Sequence, residues 1–270
     1  LESFFDEMDK NKLAHGDVSD MTSHDIDFSG VTFRYEEGVD VLTDFSLKLE
    51  SGKKYALVGS SGSGKYTIAK LISGFYPVSS GELKIGGVDI SKYKRETLEH
   101  EIAFVFQNAK LFKTSIYENV KIGRPDASRE EVVKALDLAM CGSILDKFET
   151  REDTIIGAKG VHLSGGETQR IAIARAILKD APIIILDEAS AASDPENEYE
   201  MQQAFSKLME GKTVIMIAHR LSSIRNVDEI LVVEDGKVTE RGSHDELIAK
   251  DSKYKNLQNL YNQANEWRLS

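Results

Sequence analysis

Residues 59–67 read Gly-Ser-Ser-Gly-Ser-Gly-Lys-Tyr-Thr, and no other stretch limits the possible folds of this chain so sharply. Glycines let backbone N–H groups turn inward around an anion, which residues with a Cβ resist. Tyr55–Val58 in front of the loop reads as a short buried strand, and Lys65–Ser73 behind it reads as a helix. Strand, glycine-rich loop and helix in that order form a phosphate-binding unit. Gly59, Gly64 and Lys65 have its spacing, and Ser60, Ser61, Gly62 and Ser63 complete the loop. The helix N-terminus adds partial positive charge, and Lys65 would reach the β- and γ-phosphates of a nucleotide. A flexible Gly/Ser turn is the plain alternative, but it requires neither flanking element. One position departs from the pattern. A Ser or Thr normally follows the lysine and binds Mg²⁺ through its short hydroxyl. Here Tyr66 follows, whose phenol oxygen lies several ångströms further from the backbone, and Thr67 comes next as a candidate for the phosphate or metal contact.

The rest of the composition narrows the function classes. Thirty-four Lys and Arg face 45 Asp and Glu, a formal net charge of −11 over 270 residues. That balance argues against nucleic-acid binding, which calls for a basic face. A single cysteine, Cys141, excludes an internal disulfide and fits a reducing compartment. No apolar run approaches the roughly 18–20 residues needed to cross a bilayer, and Leu1–Lys12 is acidic without a signal-peptide pattern. Any membrane contact must therefore come from another segment or subunit.

Along the chain, Leu1–Ser23 reads as a linker or helix tail, and the fold is expected to begin at Asp25. Ile26, Phe28, Val31, Phe33 and Tyr35 suggest a broken strand or strand pair, and Val41–Leu49 alternates like a strand. Ser128 with Glu131, Ser164 with Glu167, and Ser243 with Glu246 have the spacing of helix-capping boxes. The first two make residues 108–178 look largely helical. Apolar strands return at Ile183–Leu186, Thr213–Ala218 and Glu229–Val233, alternating with helices, and Ser252–Ala264 reads as a terminal helix. The pattern predicts an α/β core with a parallel sheet covered on both faces, interrupted by a helical insert.

Two further motifs carry chemistry. Ile183–Leu186 is an apolar strand ending in Asp187 and Glu188. Asp187 at the strand's carboxyl edge would hold Mg²⁺, and Glu188 would polarise an attacking water. A strand stopping at acidic turn residues explains the pair equally well in isolation, though not behind a phosphate loop. Leu163-Ser164-Gly165-Gly166-Glu167 opens a helix with two glycines. An ordinary capped helix start does not call for them, because glycine weakens a helix. The exposed backbone there makes an anion site.

With that stretch the chain resembles an ABC ATPase, whose signature is Leu-Ser-Gly-Gly-Gln with Glu167 as a familiar variant. The resemblance runs from about Asp25 to Ala264, with all motifs in family order. It implies an α/β, P-loop NTPase core with a mixed sheet, an N-terminal antiparallel β subdomain and an inserted α-helical subdomain at about 108–178, with residues 25–264 as the ATPase domain. It also implies ATP and Mg²⁺ as ligands and assigns further roles. Tyr35 resembles the aromatic that stacks on adenine. Gln107 resembles the glutamine that senses Mg²⁺ and contacts the membrane domain. Asp194 resembles the aspartate coupling two sites, and His219 the switch histidine on the γ-phosphate. In the family, Ser164–Glu167 closes on ATP held by the opposite subunit.

Several stretches resemble the exporter type: Phe33-Arg34-Tyr35, Ala218-His219-Arg220-Leu221-Ser222, Gly242–Leu247, and Thr154–Gly160, where Ala158 replaces the family's usual Glu. In such proteins a transmembrane domain precedes this one, and residues 1–24 would join the two. Asp194-Pro195-Glu196-Asn197-Glu198 resembles a subgroup that imports metal–siderophore complexes. The expected partners are a second nucleotide-binding domain and a transmembrane domain, without nucleic acid, at the cytoplasmic face of the membrane. Two alternatives remain at this point: a nucleotide-binding module whose hydrolysis Tyr66 impairs, and a soluble ABC ATPase outside transport.

Overall fold

The computed structural model describes residues 13–36, 38–157, 161–218 without 189–194, and 224–260; within these, the side chains of Glu188, Pro195 and Glu196 are not described. Two compact units divide the chain, one formed by residues 1–102 with 213–270 and the other by 103–212.

The first unit begins with strands β1 (Ile26–Phe33), β2 (Leu42–Leu49) and β3 (Lys54–Val58), then helix α1 (Lys65–Ile72). Strands β4 (Ser80–Ile85) and β5 (Val88–Asp89) and helix α2 (Arg95–Glu101) follow. The second unit runs from strand β6 (Ile102–Val105) through helices α3 (Ile116–Lys121), α4 (Arg129–Leu138), α5 (Gly142–Leu145) and α6 (Gly165–Lys179) to strand β7 (Ile183–Glu188) and helix α7 (Pro195–Met209). The chain then returns to the first unit with β8 (Thr213–Ala218), β9 (Glu229–Glu234), β10 (Lys237–Gly242) and α8 (His244–Ile248). Residues 253–260 form a last helical stretch.

In the first unit, β2-β1-β4-β5 make an antiparallel sheet. A second set of strands lies in the order β10-β9-β3-β8, with β3 parallel to both β8 and β9 and β10 antiparallel to β9. Every residue of β8 is buried, as a parallel strand covered on both faces requires. In the second unit β7 and β6 are neighbours.

Of the two readings of residues 26–35, a broken strand or a strand pair, the first holds: Ile26–Phe33 is one strand with a shifted phase. Ile26 and Phe28 are buried, then Val31 and Phe33. The register against β2 slips between Phe28 and Val31, where β1 carries one extra residue. Gly30 takes the slip at φ +58°, and its amide donates to Ser46 Oγ at 3.0 Å. A compensating residue on β2, Asp44, sits at φ +47° before Phe33 pairs with Leu42.

The capping boxes at Ser128/Glu131, Ser164/Glu167 and Ser243/Glu246 are all formed, because each needs contacts only three residues apart. Residues 108–178 are less helical than their texture suggests, since the described residues of 106–115 and 154–164 contain no α-helix. A β-bridge from Ser115 to Ile155 and the bond from Ile156 N–H to Thr114 O lay those two segments side by side instead. Packing also starts before Asp25. Leu13 is buried, Val18 bridges Tyr93, and Gly16 lies so close to Lys92 that a Cβ would meet its carbonyl oxygen at 2.4 Å.

Candidate nucleotide site

The phosphate loop follows β3 and opens α1. Helix α1 buries Ile68, Ala69, Leu71 and Ile72 on one face; full burial of each large aliphatic side chain stabilises by about 1.5–3 kcal/mol. With the helix anchored in this way, Thr67 and Lys70, one turn apart, line the cavity. The loop is braced from behind by the β9–β10 turn. Gly236 N–H donates to Ser63 O at 2.9 Å, and a Cβ on Gly59 would meet Val233 O at 2.1 Å. Gly236 itself, at φ +70°, approaches Val41 so closely that a Cβ would clash at 2.1 Å. No local motif in the sequence marks Gly236 as part of this support.

Lys65 is 5% exposed and curls inward. Its ammonium donates to Gly59 O at 2.8 Å, Ser60 O at 2.6 Å and Ser63 Oγ at 3.2 Å. Burial pulls its pKa below the ordinary lysine value. The curled loop borders a cavity of about 350 Å³ lined by Tyr35, Ser61, Gly62, Tyr66, Thr67 and Lys70, among others. An interior cation, a glycine loop and a helix N-terminus around such a space fit a polyphosphate.

The other wall is aromatic. Tyr35 packs edge-on against Phe33 at 4.8 Å and against Tyr76 at 5.3 Å between ring centroids. Its hydroxyl lies 3.1 Å from Thr67 Oγ1. The residue expected at the base and the residue expected at the phosphate or metal are thus in direct contact. They are 32 positions apart, and neither the Thr67 bond nor the Tyr76 contact is visible in a local pattern. Tyr66 is half-buried and also lines the cavity.

In the second unit, Ser164 caps α6. Its Oγ accepts from Glu167 N–H at 3.2 Å, and its own N–H donates to Glu167 Oε2 at 2.7 Å. Burial pushes the Glu167 carboxyl up, but a salt bridge to Lys147 and the Ser164 bonds outweigh it and hold the pKa below the usual range. Ser164 and Gly165 are exposed, and a Cβ on Gly165 would meet nothing within 4 Å. Neither packing nor a positive φ therefore demands glycine there. Gln107 is half-buried just after β6, next to Phe106, whose carbonyl accepts from Gln169 Nε2 at 3.2 Å. Asp187 is 5% exposed near the end of β7. Glu188 closes that strand. Asp194 and His219 lie outside the described residues, as does Ala158.

Arg170, six residues into the signature helix counted from Ser164, carries no signal in the sequence, where a helical arginine reads as surface. It is 2% exposed. Its guanidinium donates to Met140 O at 2.9 Å and Asn197 Oδ1 at 3.1 Å and forms an ion pair with Glu200. Ser143 Oγ donates to the same Glu200 carboxylate at 3.1 Å. Helices α5, α6 and α7 meet in this cluster. A groove of about 410 Å³ elsewhere in the unit, between Leu138, Leu178 and Leu208, contains none of the predicted site residues. Its flanking charges are paired as Arg124–Glu131, Lys212–Asp180 and Lys207–Glu210.

Oxygen donors that a hard cation accepts are present as the Thr67 hydroxyl and the Asp187 carboxylate. Among the described residues no group of three or more His, Cys, Asp or Glu side chains forms a dedicated metal cage. A hydroxyl and a carboxylate are oxygen ligands of the kind Mg²⁺ takes together with phosphates and water.

The chain is similar to known proteins along most of its length. A family model described as ABC transporter matches residues 42–191. The ATP-dependent lipid A-core flippase of Pasteurella multocida (strain Pm70) is 46% identical over 237 residues, covering 87% of this chain and 41% of the flippase. The flippase of the same name from Legionella pneumophila (strain Lens) is 43% identical over 240 residues, 89% of this chain and 41% of that protein. A bacterial Atm1-family ABC exporter solved with ATP bound superposes with a TM-score of 0.85 at 34% identity, over 95% of this chain and 46% of that one. The chain thus spans about two fifths of the length of the curated relatives it matches. The fold is the P-loop NTPase-like fold of ABC ATPases, with its mixed sheet, antiparallel β subdomain and helical insert. With the family model covering more than half of its residues, the chain belongs to the ABC transporter family.

Proposed function

We propose that this chain binds and hydrolyses ATP to drive transport by an exporter-type ABC transporter, at the cytoplasmic face of a membrane. The observation that carries the reading is the buried Lys65, held by Gly59 O, Ser60 O and Ser63 Oγ at the edge of a cavity with an aromatic wall. A triphosphate entering this cavity exchanges those carbonyl contacts for its own oxygens and gains a charged partner. The backbone of Gly59–Gly64 and the start of α1 receive the β- and γ-phosphates, and Tyr35 stacks against adenine. Thr67, Asp187 and Gln107 would hold Mg²⁺, which when bound neutralises charge on the phosphoryl oxygens. Glu188 takes the proton of the attacking water as the bond to the γ-phosphorus forms and the bond to the leaving oxygen breaks. His219 contacts the γ-phosphate.

The exposed signature supports a dimer. Ser164 and Gly165 present backbone to solvent where packing sets no need for glycine. A second nucleotide-binding domain placed head to tail would press its ATP onto that helix start, with Asp194 linking the two sites. The membrane domain is the other partner. Phe106, Phe112 and Ile155 are exposed apolar residues of the second unit, and Phe112 and Ile155 lie on the two segments joined by the Ser115–Ile155 bridge. They would dock the transmembrane partner near Gln107. The lipid A-core in the name of the flippases is said of those proteins and is not part of this reading.

Mixing tests the dimer. Lys65→Ala chains alone and Ser164→Arg chains alone are each expected to lack ATPase activity. An equimolar mixture should recover part of the rate, because one composite site then has an intact Lys65 and an intact Ser164. A mixture as inactive as either parent would indicate that each chain works by itself.

One feature favours slower turnover within the same reading. Tyr66 lines the cavity at the position where the motif calls for a short hydroxyl, and octahedral Mg²⁺ tolerates little displacement. Tyr66→Ser is expected to raise the Mg²⁺-dependent ATPase rate by about tenfold, roughly 1.4 kcal/mol of barrier. Equal, brisk rates in both forms would show that Thr67 or water completes the metal shell unaided.

A further inference from the structure

One cation on the cavity wall has no part in the chemistry described so far. Lys70 lies on α1 one turn beyond Thr67 and lines the same cavity as Tyr35 and Lys65. Its ammonium sits 5.5 Å from the centroid of the Tyr35 ring and 5.9 Å from that of Tyr76. Both distances fall within the range of attraction between a cation and the negative face of an aromatic ring. Among the described residues no carboxylate pairs with Lys70, so the two rings are its partners. Two cations of the groove in the second unit, by contrast, are paired with acids, at Lys212–Asp180 and Arg124–Glu131.

Geometry around Tyr35 makes this contact consequential. The ring is braced edge-on by Phe33 and Tyr76, at interplanar angles of 89° and 90°. Its hydroxyl is tied to Thr67. Phe33 belongs to β1 and Thr67 to α1, so the ring is held from two elements, by packing at its rim or face and by its hydroxyl. Lys70 adds a charged contact over the Tyr35 ring and reaches Tyr76 as well. Tyr35 remains 38% exposed, which leaves surface for a planar ligand.

We propose that Lys70 is a positioning residue for nucleobase recognition: its ammonium, drawn to the Tyr35 and Tyr76 rings, holds Tyr35 in the orientation on which a base stacks. The inference rests on the reading of Tyr35 as the base platform. It separates two kinds of contribution by a nearby lysine. A cation that acts on phosphates strengthens binding of any polyphosphate. A cation that orients the platform strengthens binding only of ligands that carry a base.

The test uses Lys70→Met, which keeps the length and apolar stem of the side chain and removes the charge, with Lys70→Arg as the conservative variant. Affinities for ATP and for inorganic tripolyphosphate are measured by calorimetry on the same chain. Lys70→Met is expected to weaken ATP about fivefold and leave tripolyphosphate unchanged, a size typical of one cation–ring contact. Lys70→Arg should restore ATP affinity, since a guanidinium also stacks on aromatic faces. Equal weakening of both ligands would assign Lys70 to the phosphates and overturn the proposal, as would no change in either. If the parent chain binds tripolyphosphate and ATP equally well, the reading of Tyr35 as a base platform fails first, independently of Lys70.

Discussion

Glu188→Gln should leave ATP binding intact and lower turnover by about a hundredfold or more, the contribution of a positioned general base. The amide matches the carboxylate in shape but cannot accept the proton of water at neutral pH. Glu188 ends the β7 strand next to the buried Asp187, so the change sits at the strand's carboxyl edge and leaves the hydrophobic run Ile183–Leu186 untouched. Because closure of the two domains would no longer lead to release, the variant should accumulate as an ATP-bound dimer. Size-exclusion chromatography with and without ATP reads this directly, beside a phosphate-release assay. A variant that turns over ATP at the parent rate would remove Glu188 from the role of base and direct attention to His219.

Arg170→Ala is expected to lower stability by about 3 kcal/mol, towards the lower end of the range for breaking a buried ion pair. The Glu200 side chain keeps 23% of its surface in water, which softens the loss of its partner. The deletion also strips the donor from Met140 O and Asn197 Oδ1 and leaves space between α5, α6 and α7. Urea denaturation followed by circular dichroism measures the change. Arg170→Lys should recover only part of it, because one ammonium cannot serve partners spread across a planar fork. An Arg170→Ala chain within about 0.5 kcal/mol of the parent would mean that water replaces the guanidinium at little cost, and that the three helices are held by their apolar contacts.

Much of this protein is decided by chemistry that acts over three or four residues, and that part is legible from the sequence alone. The phosphate loop is one such feature, since glycines between an apolar strand and a helix leave few other conformations. The three capping boxes are another: Ser128, Ser164 and Ser243 each meet their glutamate within one helical turn. The β7 strand and its acidic end follow from an apolar run bounded by charge. At residues 26–33 the alternation itself shows the break but not its cause, because the extra residue at Gly30 changes the phase of burial while the strand continues.

Tertiary structure decided the contacts whose partners lie far apart in sequence. Strand β4 pairs with β1 across an intervening β2, β3 and α1, and no property of residues 80–85 identifies that neighbour. The brace of Gly236 behind Ser63 joins residues that meet only after β9 has paired with β3. The bond between Tyr35 and Thr67, the placement of Lys70 over two tyrosine rings, and the burial of Arg170 among three helices have the same origin. A local hydrogen bond needs only the dihedral angles of one turn. A contact across 30 or more positions needs the loop between them closed, and its closure is worth its entropy only when the sheet and helices are already packed. The sequence therefore states which chemistry the chain carries, and the packing determines which side chains meet to position it.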